Sequence, residues 1–390
     1  MAERKKIALC LEYPLALRGG VSVLVETLLA GLRDRYDLIL VSPDRPEALA
    51  GQPAASSIAG HVAWNPATVS PATSRQLAQE LSRRGAALAH FHLGGNFGWG
   101  NRFPGHSPII HAGRLGIPVC TTVHLVVNLL DGFCGPKKPL WFKLALLPVA
   151  WTGKMQSLAS VRREISVSQH DAGKLRRWYW PLRGKILQMY HSRLRLGSRP
   201  ETSVEREPMV LNVGHIAWRK GQIVLAEAFA LVAAKHPEWK LFLAGDLMEA
   251  STVEKIRAIA KSHKLEDRML MPGERQDAFD LMRRAGIYVQ PSYHEALGLA
   301  LQEALFLGCA SIGTRAGGIP ELVEHERTGL LVEPGQPGQM ARALETLMSN
   351  PQLREEYGRR GADAIVQNGM TAEQMVANHV KLYESMLTHA

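Results

Sequence analysis

The chain has 390 residues, 46% of them hydrophobic, a length that exceeds one ordinary core and calls for two domains of nearly 200 residues each. Its net charge of +10 is unevenly spread: residues 1–199 hold 26 Lys and Arg against 11 Asp and Glu, a net +15, while residues 200–390 hold 20 against 25, a net −5. The basic half therefore meets whatever is acidic, and without a zinc-finger or aromatic RNA-binding pattern that partner is not nucleic acid.

From the N-terminus, Arg4-Lys5-Lys6 and the apolar Ile7–Leu11 imitate a leader, but the run stops at Glu12 and Pro14 and reads better as a first core strand. Residues 38–42, 86–92, 119–123 and 165–168 are further strand-like runs. They alternate with amphipathic stretches, the pattern of a mostly parallel sheet wrapped by helices. Helical periodicity over Val21–Arg33 follows Arg18-Gly19-Gly20, and Gly20 would let backbone approach a ligand at the carboxyl end of the first strand. His90 and His92 share one face of their strand, with no carboxylate or cysteine nearby to complete a metal set, and are read as cleft or core residues. His124 directly follows the strand at 119–123.

Lys137–Trp151 interleaves lysines with aromatic and aliphatic side chains. It is too short and too charged to span a bilayer, which leaves an interfacial segment for an anionic membrane or a helix covering the sheet. Cys10, Cys120, Cys134 and Cys309 form no C-x-x-C pair and read as buried thiols in a reducing compartment.

The polar stretch Gly197–Pro208, with two prolines, predicts the interdomain linker. Strands follow at 209–214, 241–245 and 269–273, and neither domain start carries the G-x-G-x-x-G of nicotinamide binding. Between the first two of them, Arg219-Lys220-Gly221 sets two cations before a helix predicted over Gln222–Ala234. A strand over 285–290 stops at Pro291, Glu295 falls in the next loop, and Gly298 marks the start of a helix over Leu299–Phe306. The unpaired N–H groups and positive end of that helix suit a phosphate. Glu303, about one and a half turns on at ~3.6 residues per turn, is placed to accept hydrogen bonds from ribose hydroxyls, and Glu295 to meet a sugar. Cys309–Thr314 then reads as a strand, Gly317-Gly318 as a turn, Pro320 as a new helix start, and residues 328–332 as a last strand.

The spacing from Glu295 to Glu303, the turn Gly317-Gly318-Ile319-Pro320-Glu321 and the strand at 328–332 resemble, in order and distance, glycosyltransferase family 4, retaining enzymes of the GT-B fold. Similarity runs through most of residues 210–385 and more thinly across 5–190. The resemblance implies an α/β protein of two Rossmann-like, doubly wound domains facing each other across a cleft. The acceptor-side domain would be 1–196, the linker 197–208, the nucleotide-sugar domain 209–370, and a helix over 371–390 would pack back on the first domain. It further implies transfer of a sugar, with retention, from a nucleotide-diphosphate sugar to an acceptor hydroxyl in glycan, polysaccharide or glycolipid synthesis.

By the same resemblance His124 and Glu295 are the catalytic candidates. The donor-binding candidates are Gly20, His215, Arg219, Lys220, Arg275, Glu295, Gly298, Leu299 and Glu303, with Lys220 on the diphosphate. The chain departs from the family at His215, where an arginine is usual and which Arg219 would compensate, at Ala296-Leu297, where Gly-Phe is common, and at Tyr190-His191-Ser192, where Asn-Gly is frequent. No carboxylate is placed as a covalent nucleophile, so front-face attack with the departing phosphate as base is expected. No cofactor and no metal are expected, since Asp-x-Asp is absent. The expected partners are a nucleotide-sugar donor and a glycan, lipid-linked or small-molecule acceptor, in the cytoplasm or on the anionic inner face of the membrane. The rivals are an epimerase or phosphorylase of the same architecture and a non-catalytic polyanion- or glycan-binding protein.

Overall fold

The computed structural model describes residues 4–17, 19–130, 138–198 and 205–388. Arg18, Cys134, Lys137 and the middle of the predicted linker lie outside them. The chain forms two compact units, residues 1–193 with 372–390, and residues 194–371.

The first unit is built on a seven-stranded sheet in the order β3-β2-β1-β4-β5-β6-β7, every pair parallel. The strands are β1 (Lys6–Leu11), β2 (Asp37–Ser42), β3 (Gly60–Ala63), β4 (Ala86–Leu93), β5 (Val119–Val123), β6 (Arg163–Ser166) and β7 (Ile186–Gln188). The chain winds outward from β1 to β3, then returns to start again at β4. Neighbouring connections therefore leave in opposite directions at β1 and β4, which opens a crevice at their carboxyl ends.

Alternation along β4 divides its side chains between two layers. Ala89, Phe91 and Leu93 join Ala8, Cys10, Ile39, Val41, Leu77 and Ile109 in one core. His90 and His92 point to the other face, where the C-terminal helix Ala372–Thr388 packs against β4 and the helix Gly20–Leu32. The strand runs read from sequence were the buried ones. β3 and β7 escaped because they are short edge strands of four and three residues, and β3 is nowhere fully buried.

The second unit repeats the plan with six parallel strands, β8 (Glu207–Val213), β9 (Lys240–Ala244), β10 (Met269–Gly273), β11 (Ala285–Gln290), β12 (Ala310–Thr314) and β13 (Leu330–Val332), in the order β10-β9-β8-β11-β12-β13. Its core gathers Leu241, Leu243, Ile287 and Ile312 from the sheet with Leu225, Phe229 and Leu344 from helices. Each such fully buried side chain stabilises by about 1.5–3 kcal/mol before entropy is charged against it. The helix expected from Pro320 is only a 3-10 turn, Ile319–Glu321. Leu322 and Val323 are buried there, and the chain then reverses toward β13 through Glu324–Thr328, with Glu326 at φ 61° and Thr328 N bonded to Glu324 O at 2.9 Å.

Candidate active site

In the second unit, β11 is buried along its whole length and ends at Gln290, where Pro291 releases the chain into a loop before the helix Leu299–Phe306. That loop is held from three sides. Tyr293 N donates to Arg219 O at 2.9 Å, Thr314 Oγ1 to Ser292 O at 2.6 Å, and Gly318 N to Glu295 O at 3.2 Å. Trp218 stacks on Tyr293 with ring centroids 5.0 Å apart and planes within 9°. Two glycines make the grip possible. A β-carbon at Gly317, where φ is +57°, would lie 1.7 Å from Glu295 O, and one at Gly221, φ +73°, would lie 2.0 Å from Pro291 O. The double-glycine turn thus seats the backbone that carries Glu295.

The carboxylate of Glu295 accepts from Lys220 Nζ at 2.7 Å, Gln290 Nε2 at 3.3 Å and Ser292 Oγ at 3.4 Å. Lys220 and Glu295 side chains keep 16% and 14% of their surface exposed, so a solute can reach the pair. Behind it, Tyr288 donates its hydroxyl to Gln290 Oε1 at 3.0 Å. Burial pushes the Tyr288 hydroxyl well above its usual range, and the charges of Glu303 and Glu295 add to this. Both carboxylates therefore act on one buried hydroxyl. Glu303 is itself buried on the helix Leu299–Phe306, whose N-cap is Gly298 at φ +104° and whose first residue is Leu299. Its cap makes no side-chain hydrogen bond, so the first N–H groups and positive end of that helix stand at the end of the Glu295 loop without a capping side chain.

Lys220, Glu295, Gly298, Leu299 and Glu303 therefore sit around one loop and one helix start. His215 follows β8 and is exposed; its carbonyl accepts from Gln222 Nε2 at 2.9 Å, and Gln222 also donates to Asn212 Oδ1 at 3.2 Å. Arg219 is exposed and contributes its carbonyl to the loop. Arg275 is engaged at the surface by Asp277, at 2.8 and 2.7 Å, which lowers the Asp277 carboxyl below its ordinary range. Gln290 and Ser292, which orient Glu295, were missed in the sequence. The available signal was a glutamine closing an otherwise apolar strand.

Gly20 and His124 belong to the first unit. Gly20 opens the helix Gly20–Leu32 after Gly19 as N-cap. His124 lies just past β5, its N–H bonded to Leu93 O at 2.9 Å and its Nε2 3.0 Å from Nδ1 of His92. It belongs to a buried group of five histidines. His124 stands next to His191, His191 next to His379 and His379 next to His90, with centroids 5.6, 5.2 and 5.6 Å apart. His90 bonds Tyr383 Oη at 2.6 Å and Thr122 Oγ1 at 2.8 Å. Burial keeps all five neutral, drawing His124 down to about 3, His379 to about 4, and His90, His92 and His191 well below their ordinary range. Sequence reading missed His191 and His379 in this group. Among the described residues, no group of His, Cys, Asp and Glu has the geometry to hold a metal ion.

Comparison with known proteins gives two family matches. Residues 198–364 match the family described as glycosyl transferases group 1, and residues 18–190 match glycosyltransferase family 4. The N-acetyl-alpha-D-glucosaminyl L-malate synthase of Bacillus anthracis is 29% identical over 183 residues, 47% of this chain and 47% of that protein. The chain spans between 40% and 62% of the length of the curated relatives it matches first. Among solved structures, a glycosyltransferase from Rickettsia africae superimposes with a TM-score of 0.77 at 17% identity, covering 100% of both chains. Anabaena HepE in complex with UDP gives 0.74 at 16% identity, covering 98% of this chain and 100% of that one. These neighbours establish the GT-B fold, with its two Rossmann-like units.

Proposed function

We propose that this chain, which belongs to glycosyltransferase family 4, transfers a glycosyl group from a nucleotide-diphosphate sugar to an acceptor hydroxyl with retained anomeric configuration. The observation that carries the reading is the accessible Lys220–Glu295 pair on a braced loop, beside a helix start and ahead of the buried Glu303. A diphosphate arriving there offers Lys220 a new anionic partner and receives the N–H groups of the helix start. Glu295, released from Lys220 but still held by Gln290 and Ser292, then turns its acceptor oxygens to the hydroxyls of the transferred sugar. Glu303 takes the ribose hydroxyls.

In the transfer itself, the bond from the anomeric carbon to the phosphate oxygen breaks as the acceptor oxygen approaches from the same face. The acceptor proton passes to the departing phosphate oxygen. Charge builds on the diphosphate, and Lys220, Arg219 and the helix dipole stabilise it without a metal ion. In the first unit His124, kept neutral by burial and sharing a hydrogen bond with His92, is the group proposed to meet a sugar hydroxyl.

HepE was crystallised with UDP, which makes uridine-diphosphate sugars the first donors to test. The second surface in this proposal is an anionic membrane face. The helix Leu140–Ser160 exposes Leu140, Trp141, Leu144 and Val149, with Lys138 placed 5.6 Å from the ring of Phe142, and among the described residues no helix is long and apolar enough to cross a bilayer. Screening nucleotide sugars by thermal unfolding should yield at least one that stabilises the chain, by a shift that Glu295→Ala reduces. A panel with no stabilising member, or epimer formation without acceptor, would overturn the reading.

A further inference from the structure

We infer that Trp218 is a stacking shelf for the sugar ring of the donor, covering the C–H face of a pyranose whose hydroxyls meet Glu295. The inference deepens the transferase reading above and rests on it. The second unit has two tryptophans, and it treats them in opposite ways. Trp239 is 3% exposed, with the guanidinium of Arg354 5.2 Å from the centre of its ring. Trp218 leaves 59% of its surface in water. One of its faces lies on Tyr293 in the near-parallel stack described above, and the opposite face is left for a second ring.

The indole is held in place by its backbone and by its partner. Trp218 opens the 3-10 turn Trp218–Lys220, and its N–H donates to the carboxylate of Glu249, which accepts in turn from Thr252 Oγ1 at 2.8 Å. Gly221 N closes the turn on Trp218 O at 3.0 Å. A β-carbon at Gly335, where φ is +74°, would lie 3.0 Å from Tyr293 Cε1, so backbone packs close against the tyrosine ring. An indole ordered in this way loses little freedom when a second ring settles on its open face. A tryptophan that served only to pack the turn would gain most by full burial, as Trp239 does.

The covalent order of the donor decides which ring arrives. Base, ribose, diphosphate and sugar follow one another, and the reading above gives the ribose to Glu303 and the diphosphate to Lys220. The base then lies beyond the ribose, and the next ring past Lys220 is the sugar. Trp218 stands two residues before Lys220, a rise of about 4 Å in a 3-10 turn, and Tyr293 stands two residues before Glu295. A pyranose has two kinds of surface, a belt of hydroxyls and faces of C–H. Glu295 suits the belt and the indole suits the face, so the two side chains together set the tilt of the ring as well as its position.

Calorimetric titration of the full chain tests this with UDP-glucose, ADP-glucose, GDP-mannose and dTDP-glucose, each beside its nucleoside diphosphate alone. The nucleotide sugar that binds the parent most tightly should bind Trp218→Ala about tenfold more weakly, while its nucleoside diphosphate binds both within about twofold. Trp218→Phe, which keeps an aromatic face, should recover most of the loss. Equal affinity of that nucleotide sugar for the parent and Trp218→Ala overturns the shelf. An equal loss for nucleotide sugar and nucleoside diphosphate overturns it too, because the indole then meets the nucleotide or only supports the turn. Should Trp218→Ala fail to fold, Trp218→Gln against Trp218→Phe makes the same comparison. A parent that binds none of the nucleotide sugars removes the transferase reading and the shelf with it, whereas donor binding indifferent to Trp218 removes the shelf alone.

Discussion

The two units share a winding order and differ in where they keep their polar groups. The first seals them inside: five histidines, and a Lys154–Glu164 pair whose side chains are 0% and 2% exposed. The second puts its own lysine–glutamate pair, Lys220–Glu295, on the carboxyl rim of the sheet, at 16% and 14%. Glu164 also accepts from Thr121 Oγ1 at 3.0 Å, so its pair is locked among packed strands. Glu295 is bonded as well, but its pair stays open to solvent. The same chemical pair is thus sealed in one place and, in the function proposed above, exchanged for a ligand in the other.

Acid should break the symmetry most. Each buried histidine has a folded pKa below the unfolded value of about 6.5. The unfolded chain therefore binds more protons between those limits, and stability rises with pH across them. The contribution is complete above about pH 6.5 and is lost as pH falls toward about 4 for His379 and about 3 for His124. Each group gives up roughly 1.4 kcal/mol per pH unit, and five of them make the dependence steep. Hydrogen exchange during acidification should show the first unit opening before the second; the reverse order would undo the contrast.

Glu164→Ala comes next, because it leaves the Lys154 charge buried and alone. A loss of about 3–5 kcal/mol in denaturant unfolding is expected, and a loss below about 1 kcal/mol would mean that the pair is not a fastening. Lys220→Ala should do the opposite. Its unfolding free energy should stay within about 1 kcal/mol of the parent, while kcat/KM falls about 10²–10³-fold once a donor is known. Arg219→Ala sharpens the comparison least but tests a specific substitution. If Arg219 supplies the charge that His215 lacks, donor affinity drops several-fold, about 1 kcal/mol; unchanged affinity refutes the compensation.

Much of this fold was legible because its parallel strands are continuous apolar runs. Ile7–Leu11 and Val119–Val123 were marked by composition alone, and the helix Leu299–Phe306 by a proline and a glycine ahead of it. The short edge strands β3 and β7 carry too little pattern. At Pro320 a helix-start signal was overridden by burial of Leu322 and Val323 and by the turn that follows. Site residues were legible as types and spacings, while their mutual contacts were not. That Lys220 meets Glu295 depends on a contact across 75 residues. Gly317 could be read as a turn former, but not as the residue that lies on the carbonyl of Glu295. The histidine group was least accessible of all, since it needs the last helix brought onto β4.

That last helix has a consequence for biosynthesis. His90 finds Tyr383 293 positions later, so the face of β4 that carries the histidines stays uncovered while the whole second unit is being translated. The N-terminal sheet is thus made well before the helix that completes it, and the nascent chain must keep an apolar, histidine-bearing surface from aggregating until Ala372–Thr388 has left the ribosome.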